Sequence, residues 1–147
     1  MRESDADARP PALIERSLAS RVEAIDGVVA DVVAACRSAG VDDRSCRFTI
    51  PLVMTEILAN AIQNGNGGDP SRLVRVAART SPLGVELEVS DEGPGFALDR
   101  HRATPDDPSW LESERGRGLF IISALTERVE TLQTPAGGMV RVVFRPS

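Results

Sequence analysis

Apolar side chains recur at helical spacing in two segments of the first half of the chain. The first segment predicts an amphipathic helix over residues 21–39, followed by Gly40, which tolerates the left-handed backbone of a helix end. The second carries an apolar stripe that stops at the glycine-rich run 65–68. The stripes comprise Val22, Ile25, Val28, Val29, Val32, Val33 and Cys36 in the first helix, and Ile50, Val53, Met54, Ile57, Leu58, Ala61 and Ile62 in the second.

The start of the second helix has two possible positions because of Pro51. Proline fits the first turn of a helix but removes a backbone hydrogen bond when it lies further in. Either Thr49 caps a helix that begins there, or a longer helix begins at Asp42 and is kinked. The sequence leaves both alternatives open.

Two strand-like runs after the second helix predict a hairpin. Residues 73–79 and 85–90 are rich in Val and Leu, and a turn at 81–84 joins them. In the second run apolar residues alternate with polar ones, so one face of the hairpin is expected to be wet. An earlier short strand is predicted over residues 12–18.

The last third of the chain begins with an irregular stretch. Residues 91–117 are rich in glycine and proline and follow neither period, which predicts a long loop of the kind that is usually functional or disordered. Residues 129–133 and 139–145 predict a closing hairpin around 134–138. A third helix before this hairpin is marked by Leu119, Ile122, Ala124 and Leu125.

The order of these elements predicts a fold of the α+β class. One strand, two helices, two strands, a loop, a helix and two strands imply helices on one face of a mixed or mostly antiparallel sheet, a two-layer sandwich. The 147 residues suffice for one core and not for two. We therefore expect a single domain over residues 12–147, preceded by a flexible arm at residues 1–11, where Pro, Asp and Arg dominate.

Composition and charge mainly exclude functions. The net charge of −5 gives no reason to expect direct binding of nucleic acid. No apolar run is long enough for a membrane span, and the acidic start does not resemble a secretory signal, so we expect a cytoplasmic protein without membrane contact. Cys36 and Cys46 lack metal or redox spacing and are predicted to be buried hydrophobes. His101 has no positioned partner and is predicted to be a solvated loop residue.

Three polar residues recur at helical spacing on the second helix. Glu56, Asn60 and Asn64 are each four residues apart and therefore project from one face, opposite the apolar stripe. For Glu56 and Asn60 alone, a solvated polar edge is the simpler interpretation. Two glycine-rich motifs later in the chain change that interpretation.

The first glycine-rich motif, DEGPGF, directly follows a predicted strand. Its carboxylate, Asp91, lies at the strand end and suits an exocyclic amine such as that of adenine. Gly93 and Gly95 let the backbone turn sharply and close on a flat ring. The motif alone is only moderately specific, because Asp-Gly turns are common in hairpins.

The second glycine-rich motif, RGRGLF, opens the third helix at residues 115–120. Exposed N–H groups at a helix start and the helix dipole suit a phosphate chain, and the glycines allow close approach. Arg115 and Arg117 either add charge to this phosphate site or are simply solvated.

Together, the three segments resemble the motifs of one ATPase family. EILANAIQNGN resembles the N box, DEGPGF the G1 box and GRGLF the G2 box of the Bergerat-fold (GHKL) ATPases, which include gyrase, histidine kinases and MutL. From about Ala12 onwards the chain is most similar to the anti-sigma factor serine kinases of bacterial stress response and sporulation. The resemblance implies a Bergerat-type α/β sandwich that binds ATP with Mg²⁺.

The resemblance also implies a role for each motif residue. Glu56 corresponds to the general base, Asn60 to the Mg²⁺ ligand and Asp91 to the residue that holds the adenine amine. Gly93 and Gly95 would shape the wall of the base pocket. Residues 97–114 correspond to the ATP lid. The other residues implied in nucleotide binding are Asn64, Phe96, Arg115, Gly116, Arg117, Gly118 and Leu119, with Gly116 and Gly118 at the phosphates.

The implied function is phosphorylation of a protein serine. The chain would phosphorylate a STAS-type anti-sigma factor antagonist, would sequester a sigma factor in another state, and is expected to form a homodimer. Alternatives are a non-catalytic, nucleotide-dependent switch protein and a structural domain with a degenerate pocket. Two departures from the family concern Asn64, where His is common, and Met139, where Thr is common. They bear on a phosphate or partner contact and on a polar contact near adenine.

Overall fold

A five-stranded sheet packs against two helices in the computed structural model, which describes residues 11–81, 84–93, 122 and 125–145. The helices are α1 (Ile25–Ser38), preceded by a 3-10 turn at Val22–Ala24, and α2 (Ile50–Asn60). The strands are β1 (Ile14–Ala19), β2 (Leu73–Ser81), β3 (Gly84–Ser90), β4 (Arg128–Thr134) and β5 (Gly137–Phe144). The strand order is β1-β2-β3-β5-β4, and every described pairing is antiparallel. The predicted α+β sandwich is confirmed, in its antiparallel form.

One hydrophobic core joins the sheet to the two helices. All the predicted stripe residues of the second helix are buried, as are the alternating apolar residues of β3. Ile122, which has helical backbone and is 1% exposed, belongs to the same core. The prediction for Val22 was wrong: this side chain is 47% exposed because it lies in the 3-10 turn, whose tighter period turns it away from the core.

The start of the second helix follows the longer of the two alternatives. The Asp42 carboxylate accepts hydrogen bonds from the Ser45 amide at 2.9 Å and from the Ser45 hydroxyl at 2.7 Å. Helical backbone begins directly after Asp42, whereas Thr49 makes no side-chain capping bond. Asp42 therefore caps this helix by satisfying an amide of its first turn.

Two π-helical turns flank α2, at Ser45–Thr49 and at Ala61–Gly65. In the first turn the Ile50 amide donates to the Ser45 carbonyl, five residues back, so Pro51 follows a widened turn. In the second turn the Asn66 amide donates to the Ala61 carbonyl at 2.8 Å. Turns of this kind are frequent at functional sites, and the second lies within the predicted N box.

Ion pairs cover one face of the β2–β3 hairpin. The Arg141 Nε lies 3.0 Å from a Glu88 carboxylate oxygen, and Arg79 lies 3.5 Å from the carboxylates of both Glu86 and Glu88. These four side chains are 13% to 20% exposed. The polar face predicted for the hairpin is therefore present, although it is satisfied largely by charge pairing.

Both cysteines are free and buried, at 0% and 1% exposure for Cys36 and Cys46. Burial, with a smaller contribution from Cys46, raises the pKa of the Cys36 thiol to about 11, and burial likewise raises the pKa of Cys46. The prediction that they act as small hydrophobes is confirmed. Within the described ranges, no helix is long and apolar enough to cross a membrane, and no cluster of His, Cys, Asp and Glu could hold a metal ion.

Candidate functional site

Three parts of the fold converge on Asp91, the residue directly after β3. The Asp91 amide donates to the Gly138 carbonyl at 2.9 Å, and the Gly138 amide donates to the Asp91 Oδ1 at 3.2 Å. On the other side lies Gly65, at the end of the second π-helical turn, where an added Cβ would overlap the Asp91 carboxylate. The π-helical turn after α2, the end of β3 and the start of β5 thus meet at Asp91.

The carboxylate of Asp91 is almost completely buried, with the residue 7% exposed. Its Oδ1 accepts hydrogen bonds from the amides of Gly93 at 3.0 Å and Gly138 at 3.2 Å, whereas no described residue donates to its Oδ2. Burial raises the pKa of Asp91, and the two amides and the charge of Arg72 oppose this rise. Among the described residues, one oxygen is thus fixed by two amides and the other accepts no hydrogen bond, which fits a single N–H donor such as the exocyclic amine of adenine.

Glycines allow the backbone segments around Asp91 to approach closely. A Cβ added at Gly93 would overlap the Gly65 carbonyl oxygen. Gly137 has a φ of +146°, and a Cβ there would overlap the Asp91 carbonyl oxygen. The role predicted for Gly93 as a residue that permits close backbone approach therefore has a direct steric reason, and Gly137 has the same one.

Asn66 ties the site to the rest of the sheet. Its side chain is 1% exposed, and its Oδ1 accepts a hydrogen bond from the Glu92 amide at 2.8 Å. Its Nδ2 donates to the Ser20 hydroxyl at 2.8 Å and to the Leu73 carbonyl at 3.0 Å. The side-chain amide of Asn66 thus joins the end of β1 and the start of β2 to Glu92, the residue that follows Asp91.

Replacing Asn66 by alanine is expected to lower the free energy of unfolding by about 2 to 4 kcal/mol, because buried donors and acceptors lose their partners. Asn64→Ala is the matched control, since Asn64 is exposed and its one described side-chain bond is 3.4 Å long. We expect the control to change stability by less than about 0.5 kcal/mol. Urea titration of both variants measures the difference, and equal midpoints would contradict the role given to Asn66.

Glu56 and Asn60 lie on α2, and Asn64 lies in the π-helical turn that follows it. Asn60 is 8% exposed, and its Oδ1 accepts a hydrogen bond from the Asn64 Nδ2 at 3.4 Å. Asn60 and Asn64 are therefore neighbours, even though a π-helical turn follows Asn60. Glu56 is half-buried one turn before Asn60. The side-chain Oδ1 of Asn60 has a second lone pair that could coordinate Mg²⁺, which takes few protein oxygens as ligands.

Several residues predicted for this site lie outside the described ranges. Their contacts remain predictions, as does the lid expected at residues 97–114. The residues are Gly95, Phe96, Arg115, Gly116, Arg117, Gly118 and Leu119, and the same holds for His101.

Sequence reasoning missed Asn66, Gly137 and Gly138. The predicted N box ends at Asn66 but carried no role beyond Asn64, and in the closing hairpin only Met139 was given a contact. Two successive glycines at the start of a strand are a signal that the backbone is closely approached there, so this pair was detectable. The contact between Asn66 and Glu92 was not, because the two residues are 26 positions apart.

Comparison with known proteins gives a consistent result. Residues 18–144 match the family model of the histidine kinase-like ATPase domain. The structure of the RsbU and RsbW domains of Rv1364c from Mycobacterium tuberculosis is similar, with 20% identity and a TM-score of 0.64 over 95% of this chain and 33% of that chain. This chain thus spans a third of the length of that solved chain.

The histidine kinase domain of a blue-light activated histidine kinase from Erythrobacter litoralis is also similar. The two share 16% identity and a TM-score of 0.52, over 98% of this chain and 68% of that chain. At such identities the two likenesses show a common fold. A search of curated proteins gave no significant match.

Proposed function

The chain belongs to the histidine kinase-like ATPase domain family, and from this premise we propose that it is an ATP-dependent serine kinase of the anti-sigma factor type. The family resemblance noted in the motifs is thereby confirmed. One observation carries the proposal. Glu56 and Asn60 lie one turn apart on α2, and Gly65, at the end of the π-helical turn after Asn60, packs against the Asp91 carboxylate. The proposed base Glu56, the proposed metal ligand Asn60 and the proposed amine acceptor Asp91 therefore belong to neighbouring parts of the fold.

Nucleotide binding rests on the buried groups around Asp91. The Oδ2 of Asp91, which accepts no hydrogen bond from a described residue, would accept from the adenine amine, and the backbone near Gly65 and Gly93 would lie against the base. Asn60 would contribute an oxygen to Mg²⁺, which typically keeps several waters. These assignments use residues whose contacts the structure describes.

The chemistry would require one protein group to move a proton. The bound nucleotide supplies the γ-phosphoryl group, whose bond to the bridging oxygen of ADP breaks as a bond to the serine oxygen forms. The Glu56 carboxylate would accept the proton of the serine hydroxyl and orient that hydroxyl for attack. Asn64, beside Asn60, can hydrogen-bond to a phosphate or partner but cannot add charge.

Transfer of label from γ-labelled ATP tests this proposal. We expect the wild-type chain, with magnesium, to label a serine of a STAS-type antagonist protein produced from the same cell. Emission of Trp110, the single tryptophan, would report nucleotide binding independently of transfer. Binding without transfer to any candidate antagonist would exclude the kinase function.

A second candidate is a nucleotide-dependent switch that regulates a partner without phosphorylating it. The observation that favours it is Asn64, which stands where the resembling kinases commonly carry a histidine. In that case the affinity for the partner would differ between ATP and ADP, and Glu56 would be dispensable.

Sequestration of a sigma factor and homodimer formation are part of the proposed kinase function. Co-purification tests the first, and sedimentation tests the second.

Replacing Asp91 by asparagine is expected to weaken ATP binding by about 10- to 100-fold, because an amide N–H₂ would then face the adenine amine. Its Oδ1 would still accept from Gly93 and Gly138, so stability should be retained.

The raised pKa of Asp91 means that the native state binds its proton more tightly than the unfolded chain does. The free energy of unfolding of wild type therefore falls as the pH rises from the ordinary value of 3.8 through the raised pKa of Asp91. Below 3.8 the carboxyl is protonated in both states, and this loss of stability is absent.

Calorimetry with ATP and thermal unfolding between pH 3 and pH 8 check this prediction. The variant should bind weakly at neutral pH and should gain stability relative to wild type as the pH rises through the pKa of Asp91. Unchanged ATP affinity would contradict the role of Asp91 as the amine acceptor.

A further inference from the structure

An exposed apolar cluster lies beside the first turns of α2. Phe48 is 63% exposed, Leu52 is 43% exposed and Leu125 is 39% exposed. The three side chains line one depression of about 550 Å³, together with Asp43, Arg44 and Thr49. We call these six residues the Phe48 surface. Large apolar side chains grouped on a surface typically mark an interaction site.

The Phe48 surface lies next to the proposed catalytic base. Leu52 precedes Glu56 by four residues on α2, so the two side chains project from the same side of the helix. Four residues correspond to about 6 Å along a helix axis. A protein bound to the Phe48 surface would therefore be held directly beside the Glu56 carboxylate.

The rim of the Phe48 surface carries an excess of positive charge. Asp43 accepts a hydrogen bond from Arg37 at 2.9 Å and lies 3.6 Å from Arg47, and Arg44 is the next residue along the chain. The Arg37 guanidinium, as the main cause, holds the pKa of Asp43 below its usual range. Residues 37–47 contain three arginines and two aspartates, a local excess of one positive charge in a chain whose net charge is −5. An acidic protein surface is complementary to this rim.

We propose that the Phe48 surface docks the phosphoacceptor protein. The occupant is a protein that presents an apolar side chain flanked by carboxylates, and docking places its serine hydroxyl near Glu56. This inference rests on the proposed kinase function. It adds the surface that selects the protein substrate, separate from the groups that would bind ATP.

Steady-state transfer kinetics test the docking surface, with the antagonist that the wild-type chain labels as the probe. Phe48→Ser and Leu52→Ser are expected to raise KM for this antagonist at least about 10-fold, since each removes an apolar contact from the interface. The KM for ATP and the kcat at saturating antagonist should stay within about 2-fold. Leu132→Ser is the matched control, because Leu132 is 42% exposed but lies on β4, and it should behave as wild type.

A charge variant provides an independent measurement. Arg44→Glu should raise KM for the antagonist by about 10-fold at low salt and by less at high salt, because screening weakens rim charges. An unchanged KM in Leu52→Ser and Arg44→Glu, with transfer intact, would overturn the docking surface and leave the kinase function standing. No transfer by wild type would remove both. Conversion of a wild-type dimer into a monomer by Phe48→Ser, with KM unchanged, would instead assign this surface to a second copy of the chain.

Discussion

Replacing Glu56 by glutamine is expected to lower kcat for transfer to the protein serine by about 10²- to 10⁴-fold, because a positioned general base contributes that much. Glutamine retains the size of the side chain and its hydrogen bonding but cannot take up the serine proton. The affinity for Mg-ATP should remain close to that of wild type, since adenine and metal contacts are assigned to Asp91 and Asn60. Single-turnover transfer and the Trp110 emission titration measure the two quantities separately.

Glu23→Gln is the matched control for this variant. Glu23 is exposed in the 3-10 turn before α1, and its loss of charge should leave transfer unchanged. If Glu56→Gln transfers phosphate at the wild-type rate, Glu56 is not the base. If wild type shows no transfer and Glu56→Gln preserves regulation of the partner, the switch protein becomes the better account.

Replacing Gly93 by alanine is expected to destabilise the fold by more than about 2 kcal/mol and to weaken ATP binding strongly. The new methyl group would overlap the Gly65 carbonyl oxygen, and backbone yields much less easily than a flexible side chain. Moving the segment would break the hydrogen bond from the Gly93 amide to Asp91. The loss of that bond would disorient the carboxylate proposed to hold adenine.

Gly27→Ala gives a control of opposite sign. Gly27 lies within α1, and a Cβ added there meets no atom within 4 Å. Alanine should therefore stabilise the helix by about 0.5 to 1 kcal/mol. Chemical unfolding of both variants measures the contrast. A Gly93→Ala variant as stable as Gly27→Ala would show that the approach of Gly93 to Gly65 is not required.

Much of the fold could be predicted from local periodicity. The buried stripe of α2 and the alternation of Val85, Leu87 and Val89 each reflect one period repeated over several residues, and the core follows both. The start of the helical segment that leads into α2 could not be fixed in this way. Its position depends on a cap at Asp42 and on a π-helical turn before Pro51, and neither changes the apolar pattern.

The candidate site was predictable to the extent that its motifs are contiguous. Asn60 and Asn64 are adjacent in space because helical spacing brings them together, and Asp91 follows a strand as expected. The clasp made by Asn66 and the fit of Gly137 against Asp91 depend on register between distant segments. Such register is set by packing of the whole sheet, so no short motif contains it.

The two buried thiols, Cys36 on α1 and Cys46 in the π-helical turn before α2, allow motion of the core to be measured. Alkylating reagents attack thiolates, and Cys36 and Cys46 are protonated and covered near neutral pH in the native chain. Their modification would therefore require local unfolding of the helical layer, and the rate of modification would report how often this unfolding occurs. A third cysteine, engineered on an exposed turn, could then carry a fluorescent dye while the two native ones stay in place.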